Sequence, residues 1–236
     1  MLQFAVKRLQ EVFGLFYPNI CLACSQNLLG NEKVICTQCS SQLPKHDHWM
    51  QPENKLIMRF AGRVNVQAAA AYFRFSKTSP VRHLIHELKY KGRQDVGEFI
   101  GGLLGHKLIH QDSIFKNIDI IVPVPLHWKK QKNRGYNQCD SFAKGLAETM
   151  QIPWTPNALR RNHENISQTK KKRYDRWGNV EEIFGVKDET LLQGKHILLV
   201  DDVVTTGATS ETCMQTILTV PDTKVSFAAM AMAARK

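Results

Sequence analysis

Short apolar runs alternate along this chain with segments whose apolar residues recur at helical spacing. The runs predict strands at 64–75, 118–124, 197–200 and 224–233, and the spaced segments predict helices at 81–88, 95–109, 140–150 and 210–218. Strands that alternate with helices form mostly parallel sheets, in which ligands bind at the carboxyl ends of the strands. The pattern therefore predicts an α/β fold with a mostly parallel central sheet and flanking helices.

Residues 197–209 (ILLVDDVVTTGAT) are the most informative segment for chemistry. A buried strand is predicted to end at the acids Asp201 and Asp202, and a Thr/Gly-rich loop then leads into a helix. Such a loop binds phosphate through backbone N–H groups and the helix N-terminus, while the carboxylates can hold a sugar diol. An ordinary strand end followed by a turn is the alternative. The predicted phosphate loop comprises Thr205, Thr206, Gly207, Ala208 and Thr209.

Four of the six cysteines form the pattern C-x2-C-x11-C-x2-C near the start of the chain, and they are Cys21, Cys24, Cys36 and Cys39. Two C-x-x-C turns can direct four thiolates at one tetrahedral zinc ion, and with all four positions filled by Cys the metal is structural. Two disulfides or two redox pairs are the alternatives. Stable disulfides belong to secreted proteins, and the redox alternative lacks the strand-to-helix context of such pairs. We therefore expect structural zinc.

Positive charge is concentrated in one part of the chain. Residues 129–176 carry twelve Lys and Arg against four Asp and Glu, which supplies +8 of the net charge of +11. Such a block is a solvated face, a site for polyphosphates or a surface for nucleic acid. Four aromatic residues are interleaved with it and either stack on single-stranded DNA or belong to the core: Tyr136, Trp154, Tyr174 and Trp177. Residues 151–185 lack clean periodicity, which is typical of a functional lid or of a disordered segment.

The first residues are apolar but do not read as a signal peptide, because Lys7 and Arg8 interrupt the apolar stretch. Apolar residues between Leu2 and Phe16 keep helical spacing, which predicts an amphipathic helix packed on the body, with a membrane-surface helix as the alternative. No apolar run approaches the ~20 residues that a membrane span needs. The expected location is the cytoplasm, with no membrane span.

Residues 197–209 resemble the thirteen-residue signature with which type I phosphoribosyltransferases bind 5-phosphoribosyl-1-pyrophosphate (PRPP). Almost the whole chain is similar to the ComF/GntX family of competence-associated phosphoribosyltransferase proteins. The similarity includes the four cysteines, LKYKGR at 88–93, PVPLHWKKQKNRGYNQ at 123–138, Gln168 and RYDRWGNVEEIF at 173–184.

The resemblance implies a type I phosphoribosyltransferase fold with a lid or hood at 51–236, preceded by the amphipathic helix and zinc module at 1–50. It implies a PRPP-binding, phosphoribosyltransferase-like protein that acts in DNA uptake for natural transformation beside a helicase-like partner. The activity would be that of a glycosyltransferase that moves a pentosyl group to an unidentified acceptor, with Mg²⁺ bound beside PRPP. The alternative is a non-enzymatic adaptor for single-stranded DNA with PRPP as a ligand.

The resemblance also implies roles for individual residues. Asp201 and Asp202 would hold the ribose hydroxyls, and residues 205–209 would wrap the 5′-phosphate. Lys129 and Arg134 would act with these acids in catalysis by facing the pyrophosphate. The pyrophosphate and acceptor side would contain Lys89, Tyr90, Lys91 and His127, and residues 160–176 would form the lid. Lysine at 129 departs from the usual arginine and lacks its bidentate fork.

Overall fold

A computed structural model describes residues 19–46, 54–110, 114–162 and 183–234. The elements in chain order are α1 (Thr37–Gln42), β1 (Ala69–Phe75), α2 (Pro80–Tyr90), α3 (Gln94–Ile109), β2 (Ile120–Pro123), α4 (Trp128–Arg134), α5 (Gln138–Met150), β3 (Leu159–Arg161), β4 (Phe184–Val186), β5 (His196–Val204), α6 (Ala208–Ile217) and β6 (Lys224–Ala233). Short 3₁₀ turns lie at Ile57–Arg59, Ile114–Asn117 and Glu189–Leu191.

Four strands form the central sheet in the order β1-β6-β5-β2, and each neighbouring pair is parallel. The strands are buried on both faces over most of their length, which explains their continuous apolar runs. The predicted α/β class with a parallel central sheet is therefore confirmed. β3 and β4 form a separate antiparallel pair.

Each face of the sheet packs against its own layer. Apolar side chains of α2, α3 and α5 cover one face together with the cysteine module. The other face is covered by α6, the β3–β4 pair and the segment 56–60. Residues of the cysteine module belong to the first of these cores. Two backbone hydrogen bonds join β1 to the segment that follows α1: the N–H of Arg74 donates to Pro44 O, and the N–H of His46 donates to Tyr72 O.

The structure departs from the expected elements in three places. Only residues 69–75 of the predicted 64–75 region form a strand. The basic turn expected at 129–138 contains the helix α4, which ends where Gly135 adopts a left-handed φ of 82°. The irregular 151–185 region contains β3 and the start of β4.

Several predictions lie outside the described residues. They are the amphipathic helix at 2–16, the lid beyond residue 162, and the side chains of Tyr174 and Trp177. The proposed boundary between 1–50 and 51–236 falls in the same category, because residues 47–53 are not described.

Glycines bring α3 and α5 into close contact. A Cβ added at Gly145 would lie 2.1 Å from the backbone oxygen of Glu98, and one at Gly101 would lie 2.5 Å from that of Phe142. No side chain fits at such a distance, so the two backbones approach closely only because these positions are glycine.

We expect Gly145→Ala to destabilise the protein by about 1–3 kcal/mol, because the added methyl group overpacks a backbone-to-backbone contact. Gly102→Ala is the matched control on the partner helix, since its Cβ would meet nothing closer than Thr149 Oγ1 at 3.6 Å. That change should stabilise the fold by up to about 1 kcal/mol through helix propensity. Urea unfolding measures both, and equal effects of the two substitutions would contradict the packing argument.

Candidate functional site

The two acids lie within β5 rather than beyond its end. β2 stops where Pro123 pairs with Val200, whereas β5 continues beside β6 with Asp201 opposite Ala229. The expectation that the strand ends at residue 200 is therefore wrong. Because β5 extends beyond the end of β2, both acids lie at the carboxyl end of the sheet, beside the loop that follows β2.

Asp202 is the centre of a buried polar network. It is 6% exposed, and its Oδ2 lies 2.8 Å from Lys89 Nζ and accepts a hydrogen bond from Gln138 Nε2 at 2.6 Å. Burial alone would lower the pKa of Lys89, but the Asp202 carboxylate raises it above its ordinary value. The ammonium of Lys89 is therefore held charged, and α2, α5 and β5 meet at one carboxylate.

Asp201 is held by different partners. Its Oδ2 accepts a hydrogen bond from Ser210 Oγ at 3.0 Å, and its Oδ1 lies 3.6 Å from Cys139 Sγ. Burial, followed by the neighbouring Asp202 charge, raises the pKa of Asp201 to about 6. This acid ties β5 to the first turn of α6, the helix that follows the phosphate loop.

The Thr/Gly loop at 205–209 leads into α6, as its sequence predicts. Gly207 adopts a left-handed φ of 87° and forms the N-cap of α6. Thr205 and Thr206 are exposed, and the Thr206 hydroxyl accepts a hydrogen bond from Ala208 N–H at 3.4 Å. The hydroxyls and the first N–H groups of α6 thus lie beside the carboxylates, an arrangement suited to a phosphorylated sugar.

A cationic cavity of about 390 Å³ opens next to Asp202. Its lining contains no acid among the described residues and consists of Lys89, Tyr90, Gly92, Lys130, Asn133 and Arg134. The Arg134 guanidinium lies 5.4 Å from the centroid of the Tyr90 ring and also donates a hydrogen bond to Gln138 Oε1. Gln138 therefore connects Arg134 to Asp202.

The remaining predicted site residues lie around this cavity. Lys91 is exposed at the end of α2, and Lys129 lies on α4 with its Nζ 5.6 Å from the Trp128 ring. Neither is part of the described cavity lining, which contains Lys130. His127 is not solvent-facing: it is 4% exposed, and its Nδ1 accepts a hydrogen bond from Lys129 N–H at 3.3 Å. Its visible role is to cap α4.

Sequence reasoning missed Gln138 and Arg59. Gln138 belongs to the motif NRGYNQ, but nothing in that motif indicates that its amide bridges Arg134 and Asp202. Arg59 is buried and donates hydrogen bonds to the backbone oxygens of Thr205 and Ala233. Only the fold brings it to the phosphate loop, across more than a hundred residues of sequence.

The four cysteines of the N-terminal module converge on one point. Their sulfur atoms all lie within 4.8 Å of one another, and Cys24 Sγ lies 3.8 Å from Cys36 Sγ. Backbone N–H groups of Ala23 and Cys36 donate to Cys21 Sγ at 3.4 and 3.3 Å. Burial would raise the pKa of Cys21, but these donors lower it to about 6, which favours the thiolate that metals bind. The cysteines are thus positioned to bind a metal ion.

Comparison with known proteins gives this arrangement a context. DNA utilization protein YhgH from Salmonella typhi is 30% identical over 208 residues, which are 87% of this chain and 86% of the relative. Competence protein F from Haemophilus influenzae is 28% identical over 181 residues, which are 74% of this chain and 68% of the relative. The chain belongs to the ComF family.

The α/β fold and the four-cysteine module expected for a ComF protein are both present. Among solved structures, adenine phosphoribosyltransferase from Leishmania donovani is similar over 91% of this chain and 84% of its own, with a TM-score of 0.40 and 13% identity. No protein-family model matches the ComF chain. Within its described residues, no helix has both the length and the apolar content to cross a membrane.

We expect the purified ComF protein to contain about one zinc ion per chain, and Cys36→Ser to lose it, because three thiolates leave the tetrahedral shell open. Metal analysis of the two proteins after dialysis measures this. Cys213→Ala is the control, since Cys213 is buried in α6 away from the module and should leave the zinc content unchanged. A wild-type protein without zinc, or a Cys36→Ser variant that retains it, would contradict the assignment.

Proposed function

We propose that this protein binds PRPP with Mg²⁺ and acts as a phosphoribosyltransferase-like protein in DNA uptake. The observation that carries the proposal is that three features lie next to one another at the carboxyl end of the sheet. They are the two acids of β5, the Thr/Gly loop at the N-terminus of α6 and the cationic cavity beside Lys89. PRPP contains a sugar diol, a phosphate and a pyrophosphate, which match these three features in turn.

In this proposal the acids and the loop hold the substrate. Asp201 and Asp202 accept hydrogen bonds from the ribose hydroxyls, and residues 205–209 donate to the 5′-phosphate. Both oxygens of Asp202 are already engaged, Oδ2 by Lys89 and Gln138 and Oδ1 by the N–H of Val203 at 2.5 Å. A bound ribose therefore competes with Lys89, and the displaced ammonium can turn into the cavity that it lines.

The cavity suits the pyrophosphate. Lys89, Lys130 and Arg134 supply three positive charges around a volume within the usual range for small ligands. In the transfer, the bond from ribose C1 to pyrophosphate breaks, the pyrophosphate leaves with the electron pair, and a nucleophile forms the new bond to C1. Positive groups facing the leaving oxygens stabilise the charge that develops there. Mg²⁺ that binds with PRPP would supply further neutralisation of the charge on the leaving pyrophosphate.

The cellular role comes from the relatives. Two of them are named DNA utilization protein and competence protein, which supports a part in DNA uptake for this chain. In this proposal the protein acts in the cytoplasm beside a helicase-like partner, as an amphipathic helix and zinc module at 1–50 joined to a phosphoribosyltransferase-like domain at 51–236. The shared core of the four-cysteine module and the helices α2, α3 and α5 supports a stabilising role for the zinc module.

We expect Asp202→Asn to weaken the binding of PRPP with Mg²⁺ by at least about tenfold, because a neutral amide replaces the charged acceptor of the ribose hydroxyls. Titration calorimetry with the wild-type and variant proteins measures this. Asp188→Asn is the matched control, because Asp188 caps a 3₁₀ turn before the other end of β5 and asparagine caps equally well. No binding heat with the wild type, or equal affinity in Asp202→Asn, would refute the proposal.

A second candidate function is a single-stranded DNA adaptor, and one observation favours it. Tyr90 and Trp128 are 65% and 59% exposed, and a cation lies over each ring, Arg134 and Lys129 respectively. Exposed aromatic rings beside positive charges are suited to stacking bases and contacting phosphates. By contrast, Tyr136 and Trp154 are packed against the core, which is the alternative to DNA stacking for these two aromatic residues.

For this second function we expect Trp128→Ala to weaken binding of an oligo-dT strand by about 5- to 150-fold, the usual worth of one stacked base. Affinity should also fall steeply between low and moderate salt, since phosphate contacts release counterions. Fluorescence anisotropy measures both effects. Met58→Ala is the control, because Met58 is similarly exposed on a turn without a paired cation in the described contacts. Salt-independent affinity or an unaffected Trp128→Ala variant would exclude the adaptor.

A further inference from the structure

The segment 54–64 packs in the second core and contacts the phosphate loop, although its sequence gives no sign of a functional role. Asn54 anchors it, because its side-chain amide donates to Ala69 O at 2.9 Å and its Oδ1 accepts from the N–H groups of Leu56 and Ile57 at 3.0 Å each. Leu56 and Phe60 are fully buried in the second core. The segment is therefore a fixed part of the fold and can position what it contacts.

Arg59 connects this segment to the loop. It is 6% exposed, and its Nη1 donates to the backbone oxygen of Thr205 while its Nη2 donates to that of Ala233, at the end of β6. A planar guanidinium with a fixed fork can hold two acceptors at a set separation, which a lysine ammonium does less well. Arg59 thus ties the first residue of the phosphate loop to the sheet.

This contact orients the peptide that follows Thr205. In a planar trans peptide the carbonyl and the next N–H point in opposite directions. Because the Thr205 carbonyl points at Arg59, the N–H of Thr206 points away from Arg59 and out of the fold. Thr205 and Thr206 are both exposed, so this N–H is presented on the side from which a phosphate would approach.

Phe60, the residue after Arg59, supports the loop at Gly207. A Cβ built on Gly207 would lie 2.9 Å from Phe60 Cε1, so the ring occupies the space behind the glycine. Phe60 is itself held edge-on against Phe227, with ring centroids 5.4 Å apart. The left-handed Gly207 is therefore enclosed from one side by Phe60, and the loop has little freedom to collapse inward.

Arg63 connects the same segment to α6, the helix that follows the loop. Its Nη1 lies 2.8 Å from Glu211 Oε2 in the first turn of α6, and its Nη2 donates to the backbone oxygen of Arg59. The segment 54–64 therefore contacts the start, the middle and the end of the phosphate-binding unit, through Arg59, Phe60 and Arg63 in order.

We propose that Arg59 is a positioning residue, which holds the 205–209 loop in the conformation that binds a 5′-phosphate. Preorganisation of this kind raises affinity by removing the cost of ordering the loop on binding. The identity of the ligand in this inference rests on the proposed function. The claim that Arg59 orders the loop does not. The order of the loop is measurable in the protein without any ligand.

The first test is amide hydrogen exchange of the ligand-free protein. In Arg59→Gln, the amides of residues 205–211 should exchange about tenfold faster or more, while residues 197–200 in the centre of β5 keep their protection. Arg59→Lys should fall between the two, since it retains one donor but not the fork. Arg82→Gln is the control, an exposed arginine of α2 whose side chain contacts only Lys77 O among the hydrogen bonds described.

The second test separates the two ends of the ligand. Ribose 5-phosphate should bind Arg59→Gln about tenfold more weakly than wild type, with partial rescue in Arg59→Lys, whereas pyrophosphate with Mg²⁺ should bind all variants equally. A merely structural role would weaken both ligands together. Calorimetry with each compound alone provides the comparison.

The outcomes are distinguishable. Unchanged exchange in the loop of Arg59→Gln overturns the inference even if PRPP binds the wild type. Exchange that rises equally in the loop and in β5 also overturns it, because Arg59 would then support the whole fold. If the wild type binds neither ribose 5-phosphate nor PRPP, the proposed function fails, and the exchange experiment still decides whether Arg59 orders the loop.

Discussion

The arrangement of this protein depends on two adjacent carboxylates at the carboxyl end of a parallel sheet, Asp202 buried and Asp201 partly buried. Two like charges withdrawn from water are costly unless each has its own partners. Asp202 takes Lys89 and Gln138, and Asp201 takes Ser210, so α2, α5 and α6 are all drawn to the end of β5. The higher pKa of Asp201 reflects that burial directly. The need of the two acids for polar partners therefore determines where the candidate site lies, at the end of β5.

The packing of helices outside the site brings the partners of Asp202 within hydrogen-bonding distance. α5 carries Gln138 at its first position, and the helix lies close to α3 only because Gly101 and Gly145 remove the side chains between them. The same layer contains the cysteine module, whose Cys21 and Leu22 belong to the core under these helices. Metal binding would thus stabilise the layer that positions Gln138 and Lys89, even though the four cysteines take no part in the chemistry of the sheet edge.

The sequence was sufficient where a local pattern determines the structure. The cysteine spacing predicted convergent sulfurs, and the Thr/Gly segment predicted a loop that leads into a helix; both geometries are present. Phosphate binding by residues 205–209 stays a prediction. It was insufficient where partners are remote in the chain. Arg59 reaches Thr205 and Gln138 reaches Asp202 through tertiary packing, and neither contact leaves a periodic or compositional trace. The exposure of Trp128 could not be predicted for the same reason, because burial depends on the fold.

The two proposed activities meet at Arg134. Its guanidinium lies over the Tyr90 ring and also donates to Gln138, which donates to Asp202. If a DNA base stacks on Tyr90, it takes the place of Arg134 on that face and frees the guanidinium from its present position. If PRPP engages Asp202, it disturbs the same chain from the other end. Two ligands that bias one network must affect each other's affinity by equal factors. Binding of DNA and of PRPP at this edge would therefore be coupled, because a single arginine serves both.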